Sequence, residues 1–173
     1  MPDIVWELDG RLLDVLTDLG VELERVEAGA YLVSLHPHGR STTHVWLIAG
    51  EQAVTVEAFV MHVVPGGCDD PAPLHRHLLG RNLRLRGVHY GLDDVGDVFL
   101  TGSLPHASVT TPGVDRLLGE VLGLLEQDGD RLRVLAYGER LQDPSLQAKA
   151  TVHGAGRRPA GTPEWAPHRD ARR

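Results

Sequence analysis

Cysteine is almost absent from this 173-residue chain, and the one that occurs, Cys68, has no partner for an internal disulfide. A disulfide-stapled secreted scaffold is therefore excluded, and a reducing compartment, the cytoplasm, is expected. No run approaches the roughly 20 apolar residues of a membrane span. The opening segment MPDIVWELDG lacks the basic patch and apolar stretch of a secretory signal. Aromatics are scarce as well, at 5%, so the core must be aliphatic and built from Leu and Val. Lysine is nearly missing: all but one of the basic residues are Arg.

The formal charge of −7 is unevenly spread. From Pro144 onward six basic residues (Lys149, Arg157, Arg158, Arg169, Arg172, Arg173) face two acids, Glu164 and Asp170, a balance of +4 that leaves −11 on residues 1–143. An acidic body makes a poor nucleic-acid binder, because phosphate neutralisation drives most of that affinity. The basic tail has the composition of a solubilising or disordered segment, with contact to RNA or anionic lipid as the other option. One domain over 1–143 and a disordered tail over 144–173 are expected.

Hydropathy patterning orders the elements. Leu12, Leu13, Leu16 and Leu19 recur at helical spacing, with Asp9 as a candidate N-cap and Gly20 as a stop. VELERVEAGAYLVSL, THVWLIAG and QAVTVEAFVMHVV read as three or four strands, with turns at PHGRST and at Gly50-Glu51. In the last of these, Val54, Val56, Ala58 and Val60 share one face, and Thr55, Glu57 and Phe59 the other. A helix starting near Asp70 or Pro71 carries Leu74, Leu78, Leu79 and Leu83 as its apolar stripe. VHYGLD and VFLTGSLP form two more strands around an acidic turn, Asp93 to Asp97. A last helix opens at Thr110 or Thr111, with Pro112 in its first turn and Leu117, Leu118, Val121, Leu122 and Leu125 on its apolar face. RLRVLAYGERL either extends it or makes a terminal strand.

Chemical sites are hard to build from these residues. His36 and His38, with His44 nearby, are the best candidates for a Zn²⁺ site, but no further ligand completes the set. His75 and His77 sit two apart on a helix and project to different sides. Cys68 has Asp69 and Asp70 beside it, and both oppose thiolate formation. Gly66-Gly67 lacks the Lys-Ser/Thr of a phosphate loop, and Asp93, Asp94 and Asp97 suit a hairpin turn better than a Ca²⁺ loop. No cofactor is expected. Gly119 and Gly123, four apart inside an apolar helix, are more informative: each costs about 1 kcal/mol relative to Ala and flattens the helix surface. The flat strip suits close approach of either the sheet or a helix of another protein.

The order of elements, with Leu79 and Asn82 on a helix, then Leu92, Asp93, Gly96, Asp97 and Val98, then Leu104-Pro105, resembles the YbjN family of bacterial domains. In that family a helix ends near an Asn and is followed by a strand, an L-D-x-x-G-[DE]-V turn-strand and an L-P. The resemblance spans about residues 8 to 127 and is strongest from 74 to 126. It implies an α+β fold similar to type III secretion chaperones: a twisted antiparallel sheet with helices on one side, in the order α-β-β-β(-β)-α-β-β-α. It also implies a non-enzymatic, chaperone-like or regulatory protein-binding module, commonly a homodimer, described as a sensory-transduction regulator. The expected partners are a second copy and an unidentified protein client. Gly119, Leu122, Gly123, Trp46 and Phe59 are the candidate contact residues. The alternative is a small-molecule or metal-dependent enzyme using His36, His38 and His44.

Overall fold

The computed structural model describes residues 2–63 and 70–138, with side chains from Glu7 onward. The expected loop with Gly66, Gly67 and Cys68, and the tail from Pro144, lie outside these residues. The elements are α1 (Pro2–Asp18), β1 (Leu23–Glu27), β2 (Ala30–Leu35), β3 (Thr43–Ala49), β4 (Ala53–Met61), α2 (Ala72–Asn82), β5 (Val88–Leu92), β6 (Val98–Pro105) and α3 (Thr111–Tyr137). The first strand segment resolves into two strands, because Gly29, at φ 77°, closes a tight turn between them. All pairings are antiparallel, in the order β1-β2-β3-β4-β6-β5.

Alternation along the strands sends Tyr31, Val33, Val45, Leu47, Val54, Val56, Val88 and Leu100 into one core, together with Leu12 and Leu16 of α1. Leu74 and Leu78 of α2 and the apolar stripe of α3, from Val114 to Tyr137, complete it. All three helices therefore cover one face of the sheet. Thr110 caps α3, its hydroxyl accepting from the Gly113 N–H at 3.2 Å, as its position before Pro112 predicts. RLRVLAY extends that helix, because Leu132, Ala136 and Tyr137 continue the buried stripe.

Several local expectations need correction. Asp9 does not cap α1; it sits inside the helix and is buried. Its carboxylate accepts from the Gly29 N–H at 2.9 Å and bonds the Tyr31 hydroxyl and Arg25, so it ties α1 to the β1–β2 hairpin. Val60 reaches the core only at its margin, half-buried against the cluster. A bulge between Phe59 and Met61 shifts the register, and Met61 takes the buried position. Leu79 and Leu83 are 68% and 89% exposed, because the narrow contact of α2 with β5 and α3 engages only Leu74 and Leu78.

Candidate binding face of the sheet

The face of the sheet turned away from the helices is the candidate site. Its middle row follows the strand register: Leu32 opposite Trp46, Trp46 opposite Glu57, Glu57 opposite Thr101, and Thr101 opposite His89. On a second row Phe59 stands opposite Phe99, their rings 5.5 Å apart and nearly perpendicular. Such an edge-to-face pair is favoured by the ring quadrupoles. Trp46, Phe59 and Phe99 are half-buried, whereas Leu32 and Ile48 beside them are buried. None of the five belongs to the core cluster beneath the helices. Among the described residues no helix crosses this face.

Glu57 stands in this apolar surface. Burial, and secondarily the charge of Asp93, push its carboxyl above the usual carboxylate range. A cationic group brought against it would relieve both effects.

The rim beside Phe59 is polar and tightly organised. The His62 ring packs 4.7 Å from Phe59, and its Nδ1 is 2.6 Å from the buried carboxylate of Asp97, whose other oxygen accepts from the Val63 N–H at 3.0 Å. Tyr137, in the last turn of α3, donates its hydroxyl to the His62 carbonyl. The acidic turn is built as its sequence predicts: Asp93 Oδ1 accepts from the N–H groups of Val95 and Asp97 at 3.0 and 2.9 Å, and Gly96 takes a φ of 91°.

The two sheet edges offer less. At β5 the Asn82 side chain bonds both main-chain groups of Tyr90, accepting from N–H at 2.8 Å and donating to C=O at 2.9 Å. It imitates a neighbouring strand and occupies that edge. At β1 a bulge between Arg25 and Glu27, together with exposed charge, blunts the other.

The five expected contact residues fall on two surfaces. Trp46 and Phe59 share the open face. Gly119 and Gly123 lie on the outer side of α3, where a Cβ at Gly119 would meet nothing within 4 Å and one at Gly123 only Gln127 Nε2 at 3.8 Å. The sheet is therefore not what requires their small size. Leu122 packs at the core margin. Two other glycines of α3 are crowded: an added Cβ at Gly113 would lie 2.1 Å from the Ser108 carbonyl oxygen, and one at Gly129 would lie 2.2 Å from the guanidinium of Arg40, which is held by Asp130 at 2.6 Å.

The histidines do not converge. His36 contacts Glu22 at 3.1 Å and Thr42 at 3.1 Å, His44 contacts Ser34 at 3.3 Å, and His38 bonds Glu126 through its main-chain N–H. Among the described residues no three His, Cys, Asp or Glu side chains gather as a metal site would require.

Sequence reasoning missed the buried acids. Asp128 of α3 accepts from Tyr90 Oη at 2.9 Å and Arg81 Nε at 2.7 Å, joining β5, α2 and α3. Burial and that carboxylate raise the Tyr90 phenol far above its ordinary range. One signal was available: Asp128 falls at an apolar position of the helical stripe, between Leu124 and Leu132.

Comparison with known proteins agrees with this architecture. The sequence model of the YbjN family, described as "Putative bacterial sensory transduction regulator", matches residues 9–133. An uncharacterized protein of Mycobacterium leprae is 41% identical over 115 residues, covering 64% of this chain. An uncharacterized protein of Mycobacterium tuberculosis is 37% identical over 113 residues, covering 65%. The matches span 59% and 60% of those relatives' own lengths. The ExsC–ExsE complex contains a similar fold, with a TM-score of 0.53 and 18% identity over 75% of this chain and 96% of that one. The Yersinia pestis type III secretion chaperone SycH, in complex with a fragment of YscM2, aligns at a TM-score of 0.48 and 18% identity, over 68% and 96% of the two chains. No helix among the described residues is long and apolar enough to cross a membrane.

Proposed function

This chain belongs to the YbjN family, and from that premise we propose that it is a non-enzymatic, cytoplasmic protein-binding module that holds a client segment across the open face of its sheet. One observation carries the reading: the half-buried rings of Trp46, Phe59 and Phe99 form an aromatic surface, flanked by buried Leu32 and Ile48, that the described helices leave uncovered. Clustered aromatic rings that stay partly accessible on an uncovered face suit an interaction site. With β5 occupied by Asn82 and β1 bulged, docking on the face is favoured over addition of a strand at an edge. The fitting client presents apolar anchors for the aromatic rings and a cationic side chain for Glu57. The fold shared with ExsC, solved with a protein partner, supports a binding role.

The chain acts as a homodimer in this reading, with the flat outer strip of α3 around Gly119 and Gly123 as the surface where the second copy packs. Residues 1–143 form the binding domain.

The test is partner capture by the full chain and by Phe99→Asp and Gly123→Leu variants of unchanged thermal stability. The expected result is a partner recovered by the parent and lost with Phe99→Asp, while Gly123→Leu shifts the mass measured by light scattering from dimer to monomer. A partner that Phe99→Asp still retains would overturn the assignment to the sheet face.

A further inference from the structure

A second surface, separate from the sheet face, has the make-up of an interface. We propose that the exposed side of α2, centred on Leu79 and Leu83, binds an acidic amphipathic segment of a partner protein.

Three observations converge. The first is apolar exposure. Leu79 and Leu83 are the two most exposed large hydrophobic side chains among the described residues. Leu83 keeps helical backbone angles, φ −61° and ψ −19°, so Arg76, Leu79, Gly80 and Leu83 fall at i, i+3, i+4 and i+7 on one side. Leu74 and Leu78 anchor the opposite side in the core, and the fold makes no use of the outer pair. Gly80, between the two leucines, has nothing within 4 Å of an added Cβ, which leaves room for another backbone to approach.

The second observation is charge. From Pro71 to Leu92 the sequence carries Arg76, Arg81, Arg84 and Arg86 and no acid, a local balance of +4. Residues 1–70 hold twelve acids against three arginines, and residues 93–143 hold ten against four. The patch is a cationic island in an acidic body. The third is that most of these cations are unspent. Arg81 is held by Asp128 at 2.7 Å, but the exposed Arg76, Arg84 and Arg86 make no side-chain hydrogen bond or ion pair with any described residue.

These features select the occupant. Aliphatic anchors four residues apart fit the apolar side of a second helix, and the arginines around them fit its Asp and Glu residues. With 11 residues α2 is about 17 Å long, so a partner helix of about 15 residues covers it. A second copy is a poorer occupant, because two-fold pairing through α2 brings the arginines of one copy toward their own counterparts. A bilayer or a nucleic acid presents extended negative surface, which the acidic body around so small a patch repels.

The experiment titrates the full chain into a fluorescein-labelled helical peptide of about 15 residues, with leucines along one side and glutamates elsewhere. Anisotropy should rise at low salt, and the affinity should fall about tenfold or more at about 1 M salt, where the Debye length is about 3 Å. The variant Leu79→Asp/Leu83→Asp and the variant Arg76→Glu/Arg84→Glu/Arg86→Glu should each weaken binding by a similar factor. All five side chains are exposed, so both variants should keep the parent's unfolding midpoint. The same peptide with lysine in place of glutamate should not bind the parent. No binding of the glutamate peptide, equal binding of the lysine peptide, or binding that survives both variants would overturn the proposal. So would capture of phosphatidylserine vesicles in place of the peptide, or a dimer in light scattering that Leu79→Asp/Leu83→Asp turns into a monomer. Phe99→Asp should leave peptide binding intact, and its loss there would move the site to the sheet. Failure of the α2 patch beside intact Phe99-dependent capture leaves the sheet-face function standing.

Discussion

Replacing Gly119 and Gly123 with alanine separates two explanations of why α3 carries glycines in its interior. Glycine in a helix interior costs about 0.8–1 kcal/mol relative to alanine, because its backbone loses more freedom on folding. That gain is realised only where the added methyl fits. At Gly119 it meets nothing within 4 Å, and at Gly123 only the mobile end of Gln127 at ordinary contact distance. The two substitutions together should stabilise the isolated chain by about 1.5–2 kcal/mol, a rise in midpoint of roughly 5–8 °C for a domain of this size. Thermal and urea unfolding at concentrations where light scattering reports a monomer would measure it. Gly102 provides the opposite control: a Cβ there would lie 2.4 Å from the Gly87 carbonyl and 3.0 Å from Val88. Backbone cannot swing away, so Gly102→Ala should destabilise. If the Gly119/Gly123 double variant loses stability as a monomer, the description of open space outside α3 is wrong. If it stabilises the monomer yet weakens self-association, the glycines serve a partner.

Asp128→Ala should cost about 3 kcal/mol in urea unfolding, because it leaves Arg81 and the Tyr90 hydroxyl without their shared acceptor; a loss below about 1 kcal/mol would show that the network adds little. Asn82→Ala removes two hydrogen bonds to Tyr90, for about 1–2 kcal/mol, and should raise concentration-dependent aggregation by freeing the β5 edge; light scattering reads the second effect. Glu57 has its pKa raised in the fold, so its contribution to stability is fully present below the unfolded value of about 4.5 and is lost as pH rises through the folded value. The advantage of Glu57→Gln over the parent should therefore grow as pH rises from about 4 toward 7, and a constant difference would mean that the carboxyl is not desolvated.

Local pattern was enough to set the elements. A 3.6-residue recurrence of leucines marks α1 and α3, alternation marks the strands, and Gly96 and Thr110 stand where a turn or a cap must form. These are properties of a few consecutive residues, and they read directly from order. The motif from Leu79 to Pro105 extended this to the family and to its sheet with helices on one side.

What depends on packing between distant segments was not legible. Four leucines, three in α2 and Leu83 just past its end, fit one helical stripe in the sequence, but the narrow approach of β5 and α3 buries only Leu74 and Leu78. Asp9 has the residue type and place of a cap, yet the gap beside Gly29 and Tyr31 draws it inside a longer helix. The glycines of α3 announced a close approach without saying at which one, and only the course of the β2–β3 loop puts Arg40 against Gly129. The open face shows the division most plainly. Period-two alternation separates Trp46, Glu57 and Phe59 from the residues between them, because successive side chains leave a strand on opposite sides. Which of the two sides stays uncovered depends on where all three helices dock, and that choice is made by the whole core at once.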